Sequence, residues 1–449
     1  MKIIIIGGVA AGAKAAAKSK RLLPDSEVHI YTKDNYVSYS ACGMPYYIAG
    51  DFQDWQQLIV RTKEEFEKSG IHIHTRKLVT KILPTDKKIV VKNLDTEDWQ
   101  FVEYDKLVIA TGADAIIPDF ANVNSNKIYT LRTLDDCILI KAAMSESKHI
   151  TVVGGGSIAI ELIEAFAKNQ KNIVLIEKAP FILSSYDEDI STVIQDYILE
   201  NSSGLVKIIN NDSVSEILGE EPVLHVVTER GIGFETDMVV VVAGVRPVVQ
   251  LAEDIGMEIG KTGAIKVNSR METSIKDIYA CGDCAEKFHM VSQTPVWLPH
   301  GSTANKEGRI AAINLSGGVE DFEGVLGSTV LRYQDLNISK TGLTEKEALK
   351  TGYDAISVSI TKKDKAGYMP EVKNITLKLV ADKRTHKILG AQAIGCGDAD
   401  KRINTVSVGL LQAITVEELI DADLTYSPPF STSIDILISA AQILKMKLN

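Results

Sequence analysis

Cysteine is scarce in this sequence. Cys42, Cys137, Cys281, Cys284 and Cys396 are the only five in 449 residues, too few and too spread out for the dense disulfide framework of a small secreted domain. An excess of positive charge is also missing. Lys and Arg total 49 against 59 Asp and Glu, a formal net charge of −10, so general electrostatics draws the chain neither to nucleic acid nor to an anionic membrane surface. No apolar run approaches the ~20 residues needed to span a bilayer. The one N-terminal candidate, Ile3 to Ile6, is short, and Gly7, Gly8, Gly12 and Lys14 follow at once. It therefore reads as a buried strand rather than a signal peptide. These absences point to the cytoplasm, with neither nucleic acid nor membrane as partner.

What is present is an ordinary globular composition, 45% hydrophobic and 24% charged, in a chain long enough for several cores. Two strand–glycine turn–helix units organise it. The first runs from Lys2–Ile6 through Gly7-Gly8-Val9-Ala10-Ala11-Gly12 into the small-residue run Ala13 to Ala17. Gly7 and Gly12 hold the outer positions of the G-x-G-x-x-G fingerprint, and the helix they open can turn its free amides toward a pyrophosphate. A Walker A loop is excluded, because Lys14 comes one residue too late and no Ser or Thr follows it. The second unit is Ile150 to Val153, then Gly154-Gly155-Gly156-Ser157-Ile158-Ala159, with alanine in the third glycine place as the fingerprint allows. The following strand, Ile173 to Ile176, ends at Glu177, placed to bond a ribose 2′-hydroxyl and repel a 2′-phosphate. That favours NADH, while Lys178 beside it leaves NADPH open. Two further buried strands end in Ala110-Thr111-Gly112 and in Ala280-Cys281-Gly282-Asp283. Either glycine turn alone is compatible with an ordinary tight turn; the pair in one chain predicts two Rossmann-like dinucleotide sites.

These segments together resemble the pyridine nucleotide–disulfide oxidoreductase family, and the likeness runs along essentially the whole chain. It implies an α/β fold of two Rossmann-like dinucleotide-binding domains plus an α+β C-terminal dimerisation domain. The expected boundaries are an FAD-binding domain at 1–115 and 244–325, an NAD(P)H-binding domain at 116–243, and a dimerisation domain at 326–449 that makes a homodimer. The sequence stops there, without the rhodanese-like domain that some relatives carry. For FAD the likeness implies Gly7, Gly8, Ala11 and Gly12, then Thr111 and Gly112, then Gly244, Gly282, Ala304 and Asp283, the last on the ribityl chain. For the nicotinamide nucleotide it implies Gly154, Gly156, Ile158, Glu161 and Glu177.

Ser38 to Tyr47 narrows the likeness. Cys42 is followed by Gly43-Met44-Pro45-Tyr46-Tyr47 with no second cysteine, where many members have a C-x4-C pair. This is similar to the single-cysteine branch of coenzyme A-disulfide reductases, NADH oxidases, NADH peroxidases and persulfide reductases. A thiolate is the competent nucleophile, and a helix N-terminus beside a flavin can lower its pKa. Lacking a resolving partner, Cys42 has to cycle as a mixed disulfide, a persulfide or a sulfenic acid. Taken from the residues alone it could equally be a structural cysteine. Cys281 and Cys284 form a C-x-x-C that could be a redox pair or half a zinc site, but no second metal pair is present. They read as bystanders, and no metal is expected.

Within the branch, Ala10 stands where oxidases and peroxidases carry a histidine that assists peroxide chemistry, so the chain resembles the coenzyme A-disulfide reductases more. That likeness implies catalytic roles for Tyr368 and Tyr426, supplied by the partner subunit, and substrate contacts from Lys18, Arg21 and Ser38, with Lys20 nearby. The alternatives are a structural tyrosine pair and a solvated helix face. Thr32 replaces the usual acid at the end of the second strand, Ser157 replaces a tyrosine over the nicotinamide pocket, and His300 is unusual where the chain passes the flavin. The expected activity is FAD-dependent, NAD(P)H-driven reduction of coenzyme A disulfide or a related small disulfide or persulfide. Coenzyme A would be the substrate or a mixed disulfide on Cys42. A water-forming NADH oxidase, a polysulfide or persulfide reductase, and a flavin-bearing redox sensor remain as alternatives.

Overall fold

The computed structural model describes residues 1–121, 125–219 and 223–448. The Lys2–Ile6 strand lies at the centre of a five-stranded parallel sheet, flanked by Lys106–Ile109 and then Ile278–Ala280 on one side and by Glu27–Tyr31 and then Ile71–His74 on the other. Its isoleucines alternate between two cores, as a strand covered on both faces requires. Ile3 and Ile5 pack beneath the helices, while Ile4 and Ile6 pack against a three-stranded antiparallel sheet spanning Lys77–Glu103. Two helices, Ala10–Leu22 and Gly301–Leu315, cover the first face and approach each other backbone to backbone. A Cβ at Gly308 would stand 2.3 Å from the Ala11 carbonyl oxygen. The alanine run after Gly12 is therefore small for a second reason, because it has to admit a neighbouring helix as well as the strand below.

A second five-stranded parallel sheet repeats the plan with the order Val206–Asn210, Asn172–Glu177, His149–Val153, Met238–Val241, Ile128–Thr130. The Ser157–Lys168 helix buries Ala159, Ile160, Leu162, Ile163 and Phe166 beside it. A three-stranded antiparallel sheet from Val214 to Thr236 packs Val214, Ile217, Leu224 and Val226 against its other face. The chain passes between the two units twice, and the crossings pair Ala113–Ala115 antiparallel to Val245–Pro247. A third, antiparallel five-stranded sheet takes Thr329–Tyr333, Leu336–Gly342, Ile388–Gly395, Asn374–Asp382 and Ala355–Lys363 in that order. The helices Ala399–Leu411, Val416–Ile420 and Ile436–Leu448 cover it. The architecture is α/β for the two parallel units and α+β for the last. Among the described residues no helix is long and apolar enough to cross a membrane.

Candidate active site

Both glycine turns are built to receive an anion. Gly7 has φ +103°, and a Cβ there would stand 2.1 Å from the Ala110 carbonyl oxygen, so the turn closes directly on the Ala110-Thr111-Gly112 strand end. The Ala10–Leu22 helix starts at Val9 with no side-chain cap and no acid in its first turn, which leaves its amides and positive dipole end free. The second turn repeats this. Gly154 has φ +107° and approaches the Val242 carbonyl oxygen, while no atom lies within 4 Å of the place where Gly156 would carry a Cβ. The Ser157–Lys168 helix also begins uncapped and without an acid in its first turn. Two dinucleotide pyrophosphates fit these residues.

Asp283 follows Gly282, whose φ is +82° and whose Cβ would stand 2.8 Å from that of Ala11 and 3.7 Å from that of Ala304. The first glycine turn, the Asp283 turn and the Gly301–Leu315 helix thus converge. The Asp283 carboxylate pairs with Arg132 at 3.3 Å, and its carbonyl accepts from Trp297 Nε1 at 2.7 Å. Arg132 also donates to the Ala113 carbonyl at 2.5 Å, tying the strand end to the Asp283 turn. Thr111 donates to the Val248 carbonyl at 2.8 Å, and Gly244, at φ +121°, accepts from the Ile116 amide at 3.0 Å.

Glu177 does more than its position in the sequence implied. Its two carboxylate oxygens accept from the Gly155 amide at 2.5 Å and the Ala179 amide at 2.6 Å. It therefore braces the glycine turn. Ile158 and Ser157 are exposed at the mouth of this turn, and Lys178 is exposed beside it. Thr32 is buried; its hydroxyl accepts from the Asp34 amide at 3.2 Å, so its Oγ is already engaged within its own turn.

Cys42 lies in a single 3-10 turn, Ala41–Gly43, directly ahead of the Met44–Ala49 helix. It is exposed to solvent. Burial pushes the thiol up from its ordinary pKa, and the carboxylates of Glu161 and Asp283 push it further. Among the chain's own groups, desolvation and these two acids set that direction. Glu161, from the Ser157–Lys168 helix, is itself raised to about 7 by burial and by Glu164. A Cβ on Gly301 would stand 4.0 Å from Cys42 Sγ, so the start of the Gly301–Leu315 helix reaches the same place. His300 is the residue before that helix; burial lowers its pKa, with Asp283 opposing.

Ser38 holds a strained φ of +49° and donates its amide to the Gly8 carbonyl at 2.8 Å, which fixes the Cys42 segment to the first glycine turn. Lys18 and Arg21 lie on one helix face without an ion pair among the described residues, whereas Lys20 is tied to the Ser26 carbonyl at 2.8 Å. Tyr368 and Tyr426 are 78% and 51% exposed. Their loops are joined by a bond from the Ala366 amide to the Pro428 carbonyl. Within the chain no described hydrogen bond or ring contact joins either tyrosine to Cys42. Cys281 and Cys284 are free, wholly buried thiols, and no cluster that could hold a metal occurs among the described residues. Sequence reasoning missed Arg132, Lys287 and Glu307. A single Arg before a helix, and a Lys and a Glu twenty residues apart, carry no motif.

The family profile described as pyridine nucleotide-disulphide oxidoreductase matches residues 1–308, and the family's dimerisation-domain profile matches residues 329–437. The chain belongs to the pyridine nucleotide-disulphide oxidoreductase family. It is 35% identical over 448 residues, covering 99% of this chain and 98% of the relative, to an NAD(P)H coenzyme A polysulfide/persulfide reductase of Pyrococcus horikoshii. It is 29% identical to a coenzyme A disulfide reductase of Staphylococcus haemolyticus, with 97% of each chain covered. Among solved structures, an NAD-dependent persulfide reductase from A. fulgidus superposes with a TM-score of 0.96 at 31% identity, covering 100% of this chain and 83% of that one. The protein is an NAD(P)H-dependent flavoprotein oxidoreductase, as this family membership implies.

Proposed function

We propose that the protein reduces coenzyme A disulfide, or a coenzyme A persulfide or similar small disulfide, through Cys42 alone, using NADH in preference to NADPH. The observation that carries this reading is an exposed Cys42 in the Ala41–Gly43 turn, beside the start of the Gly301–Leu315 helix and in the segment that Ser38 bonds to the first glycine turn. When bound, FAD would relay a hydride equivalent from the nicotinamide nucleotide to the sulfur. Gly7, Gly12 and the amides after Val9 would hold its pyrophosphate, and Asp283 its ribityl chain. Gly154, Gly156 and Glu177 would hold NADH, and the carboxylate of Glu177 disfavours a 2′-phosphate.

The substrate chemistry belongs to the chain's own residues. The Cys42 thiolate attacks one sulfur of the disulfide; a Cys42–S–S–R bond forms and RS⁻ leaves. The two electrons of NADH, with one proton, then cleave that bond, so Cys42 returns as thiolate and the second RSH departs. Per turnover, NADH, a proton and RSSR become NAD⁺ and two RSH. Lys18 and Arg21 suit a phosphorylated substrate such as coenzyme A. In a homodimer built through 326–449, Tyr368 and Tyr426 of the partner chain would protonate the leaving thiolate; their exposure in the single chain supports that arrangement. Domain limits near 1–115 with 244–325, 116–243 and 326–449 follow, as does a cytoplasmic location, supported by five free cysteines.

The test is thiol release per NADH with coenzyme A disulfide as substrate, in parallel with oxygen uptake. Two thiols per NADH supports the reading. Stoichiometric oxygen consumption without thiol release replaces it with an oxidase.

A further inference from the structure

We propose that Lys287 and Glu307 form a buried positioning pair that holds the Gly282–Asp283 turn in the shape that meets the flavin. The proposal rests on the reading that residues 7–12, 111–112 and 283 hold FAD. Lys287 opens the short Lys287–His289 strand and Glu307 lies in the middle of the Gly301–Leu315 helix. Both side chains are 0% exposed, 3.6 Å apart.

Their bonds converge on one residue. Lys287 Nζ donates to the carbonyls of Gly282 at 2.9 Å and Ala285 at 3.0 Å. Glu307 Oε2 accepts from the Gly282 amide at 2.7 Å. Gly282 is therefore gripped at its N–H by the acid and at its C=O by the base. On its open side it meets the Ala11 methyl, with room for no Cβ of its own. Asp283 is the next residue, so the direction of its carboxylate is set by a peptide restrained on both sides.

An ion pair is a costly way to fill a core, because desolvating two charges offsets most of their attraction, and two apolar side chains of the same size would serve stability as well or better. This pair is not even fully satisfied, since Glu307 Oε1 is buried without a hydrogen bond. What an apolar pair could not do is bond both polar groups of Gly282. Position, rather than stability, is what the two side chains provide here.

The test uses apoprotein freed of flavin with chaotropic salt. FAD affinity is measured by fluorescence quenching, alongside the visible circular dichroism of bound flavin and the thermal midpoint of each apoprotein. Lys287→Met and Glu307→Leu are expected to weaken FAD binding tenfold or more and to alter the visible dichroism. Glu307→Gln keeps an acceptor for the Gly282 amide and is expected to stay within about threefold of wild type. If Glu307→Leu does not fold, Lys287→Met and Glu307→Gln carry the same contrast. Wild-type affinity and dichroism in Lys287→Met overturns the pair. Equal losses in all variants that track their apoprotein thermal midpoints overturn it as well. Wild-type apoprotein that takes up no FAD overturns the site reading, and the proposal with it, a result distinct from wild-type uptake with unaffected variants.

Discussion

At the scale of single residues the proposed reaction turns on Cys42, and the surprise is the direction in which the chain moves its acidity. Burial, Glu161 and Asp283 all favour the protonated thiol. The disulfide half-reaction needs the thiolate, so its rate is expected to climb as pH rises through the neutral range. Glu161→Gln removes one of the two opposing charges and should shift that rising limb to lower pH, read from pH profiles of kcat/KM for the disulfide. A limb that stays put would show that Glu161 does not act on the sulfur. Cys42→Ser should abolish disulfide turnover while NADH still bleaches the flavin at close to the wild-type rate in rapid mixing. Serine keeps the packing but supplies no anionic nucleophile near neutral pH. Cys281→Ser and Cys284→Ser should leave turnover largely unchanged, since both thiols are sealed in the core. Loss of activity in either would move the redox centre away from Cys42.

At the scale of elements, the two strand–turn–helix units were legible because the backbone leaves few choices there. Gly7 and Gly154 sit at positive φ hard against a carbonyl from the neighbouring crossing segment, and only glycine tolerates that. The burial of Ile3 to Ile6 as a strand was equally legible. What the sequence could not reveal is contact between distant elements. The bond from Glu177 to the Gly155 amide spans 22 residues, a spacing the fingerprint assigns to ribose binding and not to a brace, whereas Arg132 to Asp283 spans 151 and fits no motif. The brace by Glu177 changes what its removal should do. Loss of ribose discrimination alone would narrow the NADH/NADPH preference by about 1–3 kcal/mol. Losing the brace as well should weaken both nucleotides, so Glu177→Ala is expected to raise both KM values while the preference shrinks. An unchanged NADPH KM would mean the glycine turn holds its shape without that carboxylate. Gly308 offers a second check on element packing. Gly308→Val would drive a side chain into the Ala11 backbone, and it should cost several kcal/mol by forcing apart the two helices over the first sheet.

For the whole molecule, the second nucleotide unit is fastened to the C-terminal sheet by a charge cluster centred on the buried pair Lys378 and Asp187. Lys378, in the Asn374–Asp382 strand, reaches Asp187 at 3.2 Å, Asp189 at 2.9 Å and Glu345 at 3.1 Å. Asp187 also accepts from Gln392 at 2.6 Å and from the Glu345 amide at 3.1 Å, at the start of the Glu345–Lys350 helix. Burial alone would raise the Asp187 carboxyl; the Glu345 amide, Gln392 and Lys378 outweigh it and hold the pKa below its ordinary value. Such a cluster is expected to couple the unfolding of the two regions, because separating them breaks the Lys378–Asp187 pair. Lys378→Met fills the same volume but leaves Asp187 buried without its cation, which should cost about 3–5 kcal/mol. In calorimetry, the wild type is expected to unfold in one transition and Lys378→Met in a broadened or split one, as the C-terminal sheet and the nucleotide unit part. The linkage also has a sign. A carboxyl with a lowered folded pKa contributes stability that is present above its unfolded value and is lost as pH falls through the folded one. The gap between wild type and Lys378→Met should therefore be full at neutral pH and close only in strong acid, below the usual aspartate range. A gap of the same size at every pH would mean that the lysine matters for its packing and not for its charge.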